Sequence, residues 1–258
     1  MRWLASEVAR FAGHLTAERL AVQAQLFLIP VPSMAEEIDA MVQILDAPEQ
    51  KRAAEYKHLQ SRSNFVTARA FLRLAAVEIM GQPVGTLRFS TAESGKPFLV
   101  SLGAGSLEFN ISHSGDHCLI GLACGGAVGV DLEQWRERID RAGIAARFFT
   151  PEEREWISAA SADGQTSRFY DCWTLKEALL KATSAGIANG LSLYSVRAAC
   201  CEPVGKLTTM VLAPGSEWVL GAIPIRLASY SAAVCLGRKG PQTFQLNRLQ
   251  STPLAPDG

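Results

Sequence analysis

The sequence predicts an α+β protein, in which helices and strands occupy separate stretches of the chain. Three observations carry this. Two stretches, residues 34–58 and 62–80, place apolar side chains at helical spacing. Leu107-Glu108-Phe109-Asn110-Ile111-Ser112 then alternates apolar and polar residues, as a half-buried strand does. The same order, helix and then strands, recurs in the second half, so the chain reads as a duplicated α+β unit with a boundary near Gly125-Gly126.

The elements follow in order. Residues 34–58 are rich in helix formers, with Met41, Ile44 and Leu45 at helical spacing. In 62–80, Phe65, Ala68, Phe71, Leu72, Ala75, Ala76 and Ile79 mark one broad apolar face, and Pro83 ends the helix. Leu87 to Ser90 reads as a short strand before the turn Ser94-Gly95-Lys96-Pro97. Leu119 to Cys124 and Ala127 to Leu132 flank Gly125-Gly126, the pattern of a hairpin closed by two glycines. Residues 151–160 and 166–185 read as helices, the first opened by Thr150-Pro151-Glu152-Glu153. Ser192 to Ala199 and Trp218 to Leu236 read as strands. The expected divisions are 1–125, 126–240 and a loose Pro-rich and polar tail over 241–258.

Composition bounds the function. The 258 residues are 48% hydrophobic and 19% charged, and 25 Lys and Arg balance 25 Asp and Glu. A net charge of zero supplies no global basic field for nucleic acid, so none is expected as a partner. The most apolar stretch, Leu119 to Leu132, is too short and too broken by glycine for a membrane span, and the N-terminus does not read as a secretory signal. The six cysteines form no Cys-x-x-Cys pair, which points to reduced thiols in a cytoplasmic protein.

Four groups of residues carry candidate chemistry. Asp131 and Glu133 stand two apart on a strand, so they share a face, with Val128, Val130 and Leu132 on the core side. Carboxylates that close repel unless a cation joins them, and one pKa is expected to rise. A solvated strand end, with Glu133 beside Arg136, is the plainer alternative. Trp173, Glu177 and Lys181 recur every fourth residue on one helix face. They read either as a carboxylate and an ammonium aimed at a phosphate–metal centre or as a surface ion pair. Asn110-Ile111-Ser112-His113-Ser114-Gly115 reads as a turn after a strand, able to offer donors to a phosphate or simply to cap itself. Lys96, between Gly95 and Pro97, is a compact cation suited to phosphate, though not in a P-loop.

The order of these motifs is more specific than any one of them. Gly-Lys-Pro (95–97), Asn-Ile-Ser-His-Ser-Gly (110–115), Gly-Val-Asp-Leu-Glu (129–133), Phe-Phe-Thr-Pro-Glu-Glu (148–153) and Trp-Thr-Leu-Lys-Glu-Ala-Leu-Leu-Lys (173–181) together resemble the Sfp-type 4′-phosphopantetheinyl transferases. The resemblance covers roughly residues 45–200. It extends, less distinctively, to Pro48-Glu49-Gln50-Lys51-Arg52 and Ala68-Arg69-Ala70-Phe71-Leu72-Arg73; residues 1–30 and the tail lie outside it.

That resemblance implies two similar α+β halves related by a pseudo-twofold axis, with coenzyme A in the cleft between them. It implies Mg²⁺, or Mn²⁺ in its place, held by Asp131, Glu133 and Glu177 in the C-terminal half. Lys181 would meet the phosphates, Ser112 and His113 the 3′-phosphate of coenzyme A, with Lys96 and Arg52 nearby. Arg147 to Trp156 would dock the partner, an apo acyl or peptidyl carrier protein. Asp131, Glu177 and Lys181 would be catalytic in moving phosphopantetheine onto a carrier serine with release of 3′,5′-ADP, and Glu177 is the chosen base. A monomer is expected. The competing readings are a coenzyme A or acidic-protein binding module without catalysis, and a plain structural α+β protein.

Overall fold

The computed structural model describes residues 2–91, 97–100, 107–184, 191–213 and 215–250. Its helices are α1 (Arg2–Arg10), α2 (Ala17–Val22), α3 (Ala35–Val42), α4 (Ala47–Glu55), α5 (Leu59–Met80), α6 (Arg141–Phe148), α7 (Pro151–Ser158), α8 (Ala162–Thr183) and α9 (Arg197–Cys200). Its strands are β1 (Ala24–Pro30), β2 (Phe89–Thr91), β3 (Pro97–Leu99), β4 (Leu107–Ser114), β5 (His117–Cys124), β6 (Val128–Gln134), β7 (Thr208–Ala213), β8 (Ser216–Ala222), β9 (Tyr230–Gly237) and β10 (Phe244–Arg248).

Two long helices, α5 and α8, each of 22 residues, organise two similar halves. Each follows a short helix that opens on a capping box. In α4 the Asp46 carboxylate accepts from Glu49 N at 3.1 Å; in α7 the Thr150 hydroxyl accepts from Glu153 N at 3.3 Å. The box glutamate then turns inward to a buried cation on the long helix. Arg73 Nε donates to Glu49 Oε2 at 2.5 Å, and Lys176 Nζ lies 2.9 Å from Glu153 Oε2. Each cation also ties down the chain beyond its helix, Arg73 through Val84 O at 3.0 Å and Lys176 through Leu191 O at 2.6 Å and Tyr194 O at 2.7 Å.

The sheets repeat the same logic. One has the order β10-β1-β5-β4 and the other β6-β9-β8-β7, beside a small β2-β3 hairpin. In each, the strand before the long helix pairs antiparallel with the second strand of the hairpin after it: β1 with β5, and β6 with β9. Each half encloses its own core, and a third core lies between the sheets. There Leu26 and Leu28 of β1 and Leu119 of β5 meet Val128, Val130 and Leu132 of β6 and Val234 of β9.

Six expectations need correction. The 34–58 helix is two helices, because Pro48 has no N–H for an uninterrupted ladder and Asp46 restarts the chain with a cap. Gly125-Gly126 closes no hairpin: β5 pairs within the first sheet and β6 within the second, so the glycines carry the chain between sheets. Asn110 to Ser114 is not a turn but the end of β4; the turn is Gly115-Asp116. Residues 192–199 form no strand. Val196 and Ala199 are buried at helical spacing, and Val196 N is taken by Glu153 Oε1 at 2.8 Å. The 218–236 strand is two, β8 and β9, with a loop between.

The tail is not loose over its whole length. β10 runs parallel to β1, Asn247 Nδ2 donates to Gln25 Oε1 at 3.0 Å, and Asn247 is buried. The first sheet is therefore completed by chain from the far end. Residues 251–258 lie outside the described residues, as does Lys96.

Candidate active site

The seam between the halves is built by side chains. β4 and β6 are edge strands of different sheets, and alternate residues of β4 reach across to the free backbone N–H groups of β6. Asn110 Oδ1 accepts from Val130 N at 2.9 Å, Ser112 Oγ from Leu132 N at 3.2 Å, and Ser114 Oγ from Gln134 N at 3.0 Å. These hydroxyls also hold the acidic pair. Ser112 Oγ donates to Asp131 Oδ1 at 2.8 Å, and Ser114 Oγ to Glu133 Oε2 at 3.1 Å.

Helix α8 closes on the same strand. A Cβ at Gly129 would stand 2.2 Å from Ala178 O and 2.4 Å from Ala182 N, so only glycine allows this approach. The close contact delivers Lys181, whose Nζ lies 2.7 Å from Asp131 Oδ1 and donates to Ser112 Oγ at 3.0 Å and Val130 O at 3.3 Å. Lys181 thus pairs with Asp131 on the neighbouring strand.

The electrostatics are those of crowded carboxylates. Burial, then the Asp131 charge, pushes Glu177 up to about 7, with Lys181 pulling the other way. Burial and Asp131 also raise Glu133. Asp131 Oδ2 and Glu177 Oε1 are both buried without a hydrogen-bond partner among the described residues. Two oxygen acceptors left in this state, with a third carboxylate coupled to them, suit a hard cation. Among the described residues no three His, Cys, Asp or Glu side chains are already drawn together as a cage.

The alternation of β4 sends His113 the opposite way from Ser112. Its ring, with Ile111, lines a cavity of about 430 Å³ that also receives Arg52, Asn64, Phe65, Arg69 and Pro97. The Arg52 and Arg69 guanidiniums lie 5.2 and 5.8 Å from the Phe65 ring. Partial burial, then the Lys181 ammonium, lowers the His113 pKa. His113 and Arg52 therefore share a cavity, whereas Ser112 is buried in the seam with its proton committed to Asp131. The stretch Arg147 to Trp156 is divided too, since Phe149 and Glu153 are core residues. Arg154 lines a second cavity of about 510 Å³ with Arg141, Ile157 and Phe169.

As sequence, Asn110 and Ser114 read as part of a donor-bearing turn and not as residues of the seam, and Asn64 had no role. The polar alternation 110, 112, 114 was the available signal for the first two. Asn64, on a helix read only for its apolar face, left none.

Comparison with known proteins decides the family. The family model of the 4′-phosphopantetheinyl transferase superfamily matches residues 127–235, and that of the 4′-phosphopantetheinyl transferase N-terminal region matches 31–124. A Synechocystis sp. protein, provisionally named a 4′-phosphopantetheinyl transferase, is 35% identical over 66% of this chain and 68% of its own. The chain belongs to the 4′-phosphopantetheinyl transferases. These enzymes move the phosphopantetheine arm of coenzyme A onto carrier proteins. This transferase is also 32% identical to the 4′-phosphopantetheinyl transferase HetI of Nostoc sp., over 66% of this chain and 72% of that one. It is 30% identical to a 4′-phosphopantetheinyl transferase of Bacillus subtilis, over 64% of this chain and 72% of that one. No helix among the described residues is long and apolar enough to cross a membrane.

Proposed function

We propose that this transferase works with Mg²⁺, or Mn²⁺ in its place, held by Asp131, Glu133 and Glu177, and modifies apo acyl or peptidyl carrier proteins. The observation that carries the reading is the divided Asp131 carboxylate. Its Oδ1 is held by Ser112 and Lys181, while Oδ2 is buried without a donor among the described residues, as is Glu177 Oε1. Lysine satisfies one side of the site, and the other calls for a cation. When bound, the ion would neutralise charge on the pyrophosphate of coenzyme A.

The chain's own residues do the rest. Lys181 faces the same phosphate oxygens and balances charge that develops on them. The carrier serine oxygen bonds to the phosphorus that bears the pantetheine arm. The bridging P–O bond breaks, and 3′,5′-ADP leaves. Glu177 takes the serine proton as general base. Arg52 and His113 receive the 3′-phosphate of coenzyme A in the cavity they share, and Lys96, which precedes Pro97 in the sequence, is a further candidate cation. Ser112 acts one step back, by holding Asp131. The cavity lined by Arg141 and Arg154, with the exposed Arg147 on the same stretch of chain, presents cations to an acidic carrier. The enzyme acts as a monomer in the cytoplasm; all six cysteines are free, which supports a reducing compartment.

The test is a panel of purified apo-carrier proteins incubated with coenzyme A, with and without Mg²⁺. Carrier mass should rise by one phosphopantetheine, with matching release of 3′,5′-ADP, only when the ion is present. Binding of coenzyme A without transfer to any carrier would favour a binding module instead. Transfer that survives full removal of divalent ions would remove the metal from the reading.

A further inference from the structure

We infer that Asn64 is a positioning residue that fixes the tautomer of His113, so that its Nε2 carries a proton toward the cavity. The inference rests on the proposed contact between His113 and the 3′-phosphate only for its functional consequence.

Gly115 O, at the turn after β4, is a carbonyl and can only accept. Gln60 Nε2 lies 3.1 Å from it, so that end of the Gln60 amide must be the donor. The same nitrogen lies 3.0 Å from Asn64 Oδ1, which therefore accepts. The Asn64 amide is thereby oriented with Nδ2 on its other side, 3.3 Å from His113 Nδ1. An amide nitrogen only donates, so Nδ1 accepts, and in the neutral ring the proton stands on Nε2. Each step follows from the one before, and the backbone carbonyl sets the direction of the whole relay. Asn64 is itself buried and lines the cavity with His113 and Arg52.

The consequence is chemical. A bare Nε2 lone pair facing a phosphate would repel it, whereas an N–H donates to it. Partial burial and the Lys181 ammonium keep the ring toward its neutral form, against the opposing pull of its own backbone and of Asp131, so the tautomer matters. The glycine at the anchor is also constrained. Gly115 has φ +57°, and a Cβ there would stand 2.1 Å from the Tyr230 hydroxyl oxygen. The carbonyl that starts the relay is thus held by a turn that other residues cannot enter without strain.

The test is long-range ¹H–¹⁵N NMR on the full chain labelled at histidine, with His113 assigned by its loss in His113→Gln. Wild type should show the Nε2–H pattern for His113 above its titration range. Asn64→Ala should give a mixture of tautomers, and Asn64→Asp, whose carboxylate can only accept, should move the proton to Nδ1. In parallel, the preference for coenzyme A over dephospho-coenzyme A is measured by calorimetry. It should fall about 3- to 10-fold in Asn64→Ala, the scale of one hydrogen bond. A wild-type Nδ1–H tautomer, or a tautomer unmoved in both variants, overturns the relay. A tautomer that moves while the ligand preference stays constant leaves the relay standing and overturns the phosphate contact of His113.

Discussion

Lys181 Nζ stands 2.7 Å from Asp131 Oδ1, joining helix α8 to strand β6 across the glycine contact at Gly129. The pair is held from a third direction, since Ser112 of β4 bonds both partners. One consequence is that strand β4, helix α8 and strand β6 meet in one polar knot at the seam. Another is that Asp131 has one oxygen occupied and the other without a hydrogen-bond partner among the described residues.

Asp131→Asn should therefore lower transfer by more than roughly 10²-fold, the scale of losing a preorganised charge. The isosteric amide keeps the Ser112 contact in reach, and Lys181 retains some access to water, so melting should shift by only a few degrees. Transfer within twofold of wild type at saturating Mg²⁺ would sink the metal assignment. Glu133→Ala should also lower transfer, with little loss of stability because a raised carboxyl is removed.

Glu177→Gln should cut turnover by roughly 10²–10⁴-fold, the contribution expected of a general base. Its stability effect has a definite sign. The folded pKa is raised from 4.5 to about 7, so the folded protein holds a proton that the unfolded chain releases. Wild type freed of metal should then lose stability as pH rises through this window, and Glu177→Gln should not lose that part. Melts between pH 5 and 8 in a chelator test this. Added Mg²⁺ should raise the wild-type melting temperature more at pH 8 than at pH 5.

Lys181→Ala should lower turnover and weaken coenzyme A together, because the ground-state pyrophosphate is already charged. Steady-state kinetics beside direct binding separate the two effects. Normal values for both would return Lys181 to the status of an ion-pair residue.

Lys176 makes the contrast within one motif. It is 1% exposed, against Glu153 at 0%, and serves the fold. Lys176→Met should cost about 3–5 kcal/mol, the loss expected when one partner of a buried pair is removed. Denaturant unfolding measures that loss. Whatever fraction of the variant folds should turn over at a near-normal rate.

Gly129→Ala should destabilise by about 1–3 kcal/mol, the usual cost of overpacking, because the new methyl meets helix backbone and not a movable side chain. It should also lower transfer by pushing Lys181 away from Asp131. A variant with wild-type stability and kinetics would show that β6 and α8 can separate freely.

Much of this was legible in the chain itself. The period of two in Val128, Val130 and Leu132 set Asp131 and Glu133 on one face, because strand geometry is local. The fourfold spacing of Trp173, Glu177 and Lys181 likewise placed them on one helix face, and Thr150-Pro151-Glu152-Glu153 marked a helix start by its capping chemistry. What the sequence could not decide were relations between segments far apart. It could not show that Lys181 meets Asp131, that Ser112 and His113 part to opposite sides of β4, or that Phe244 to Arg248 completes a sheet begun at Ala24. Periodicity records which face of an element is apolar, but which element covers that face is set by long-range packing. Here that packing turned on a missing side chain at Gly129, edge N–H groups needing partners, and a carboxylate needing a cation.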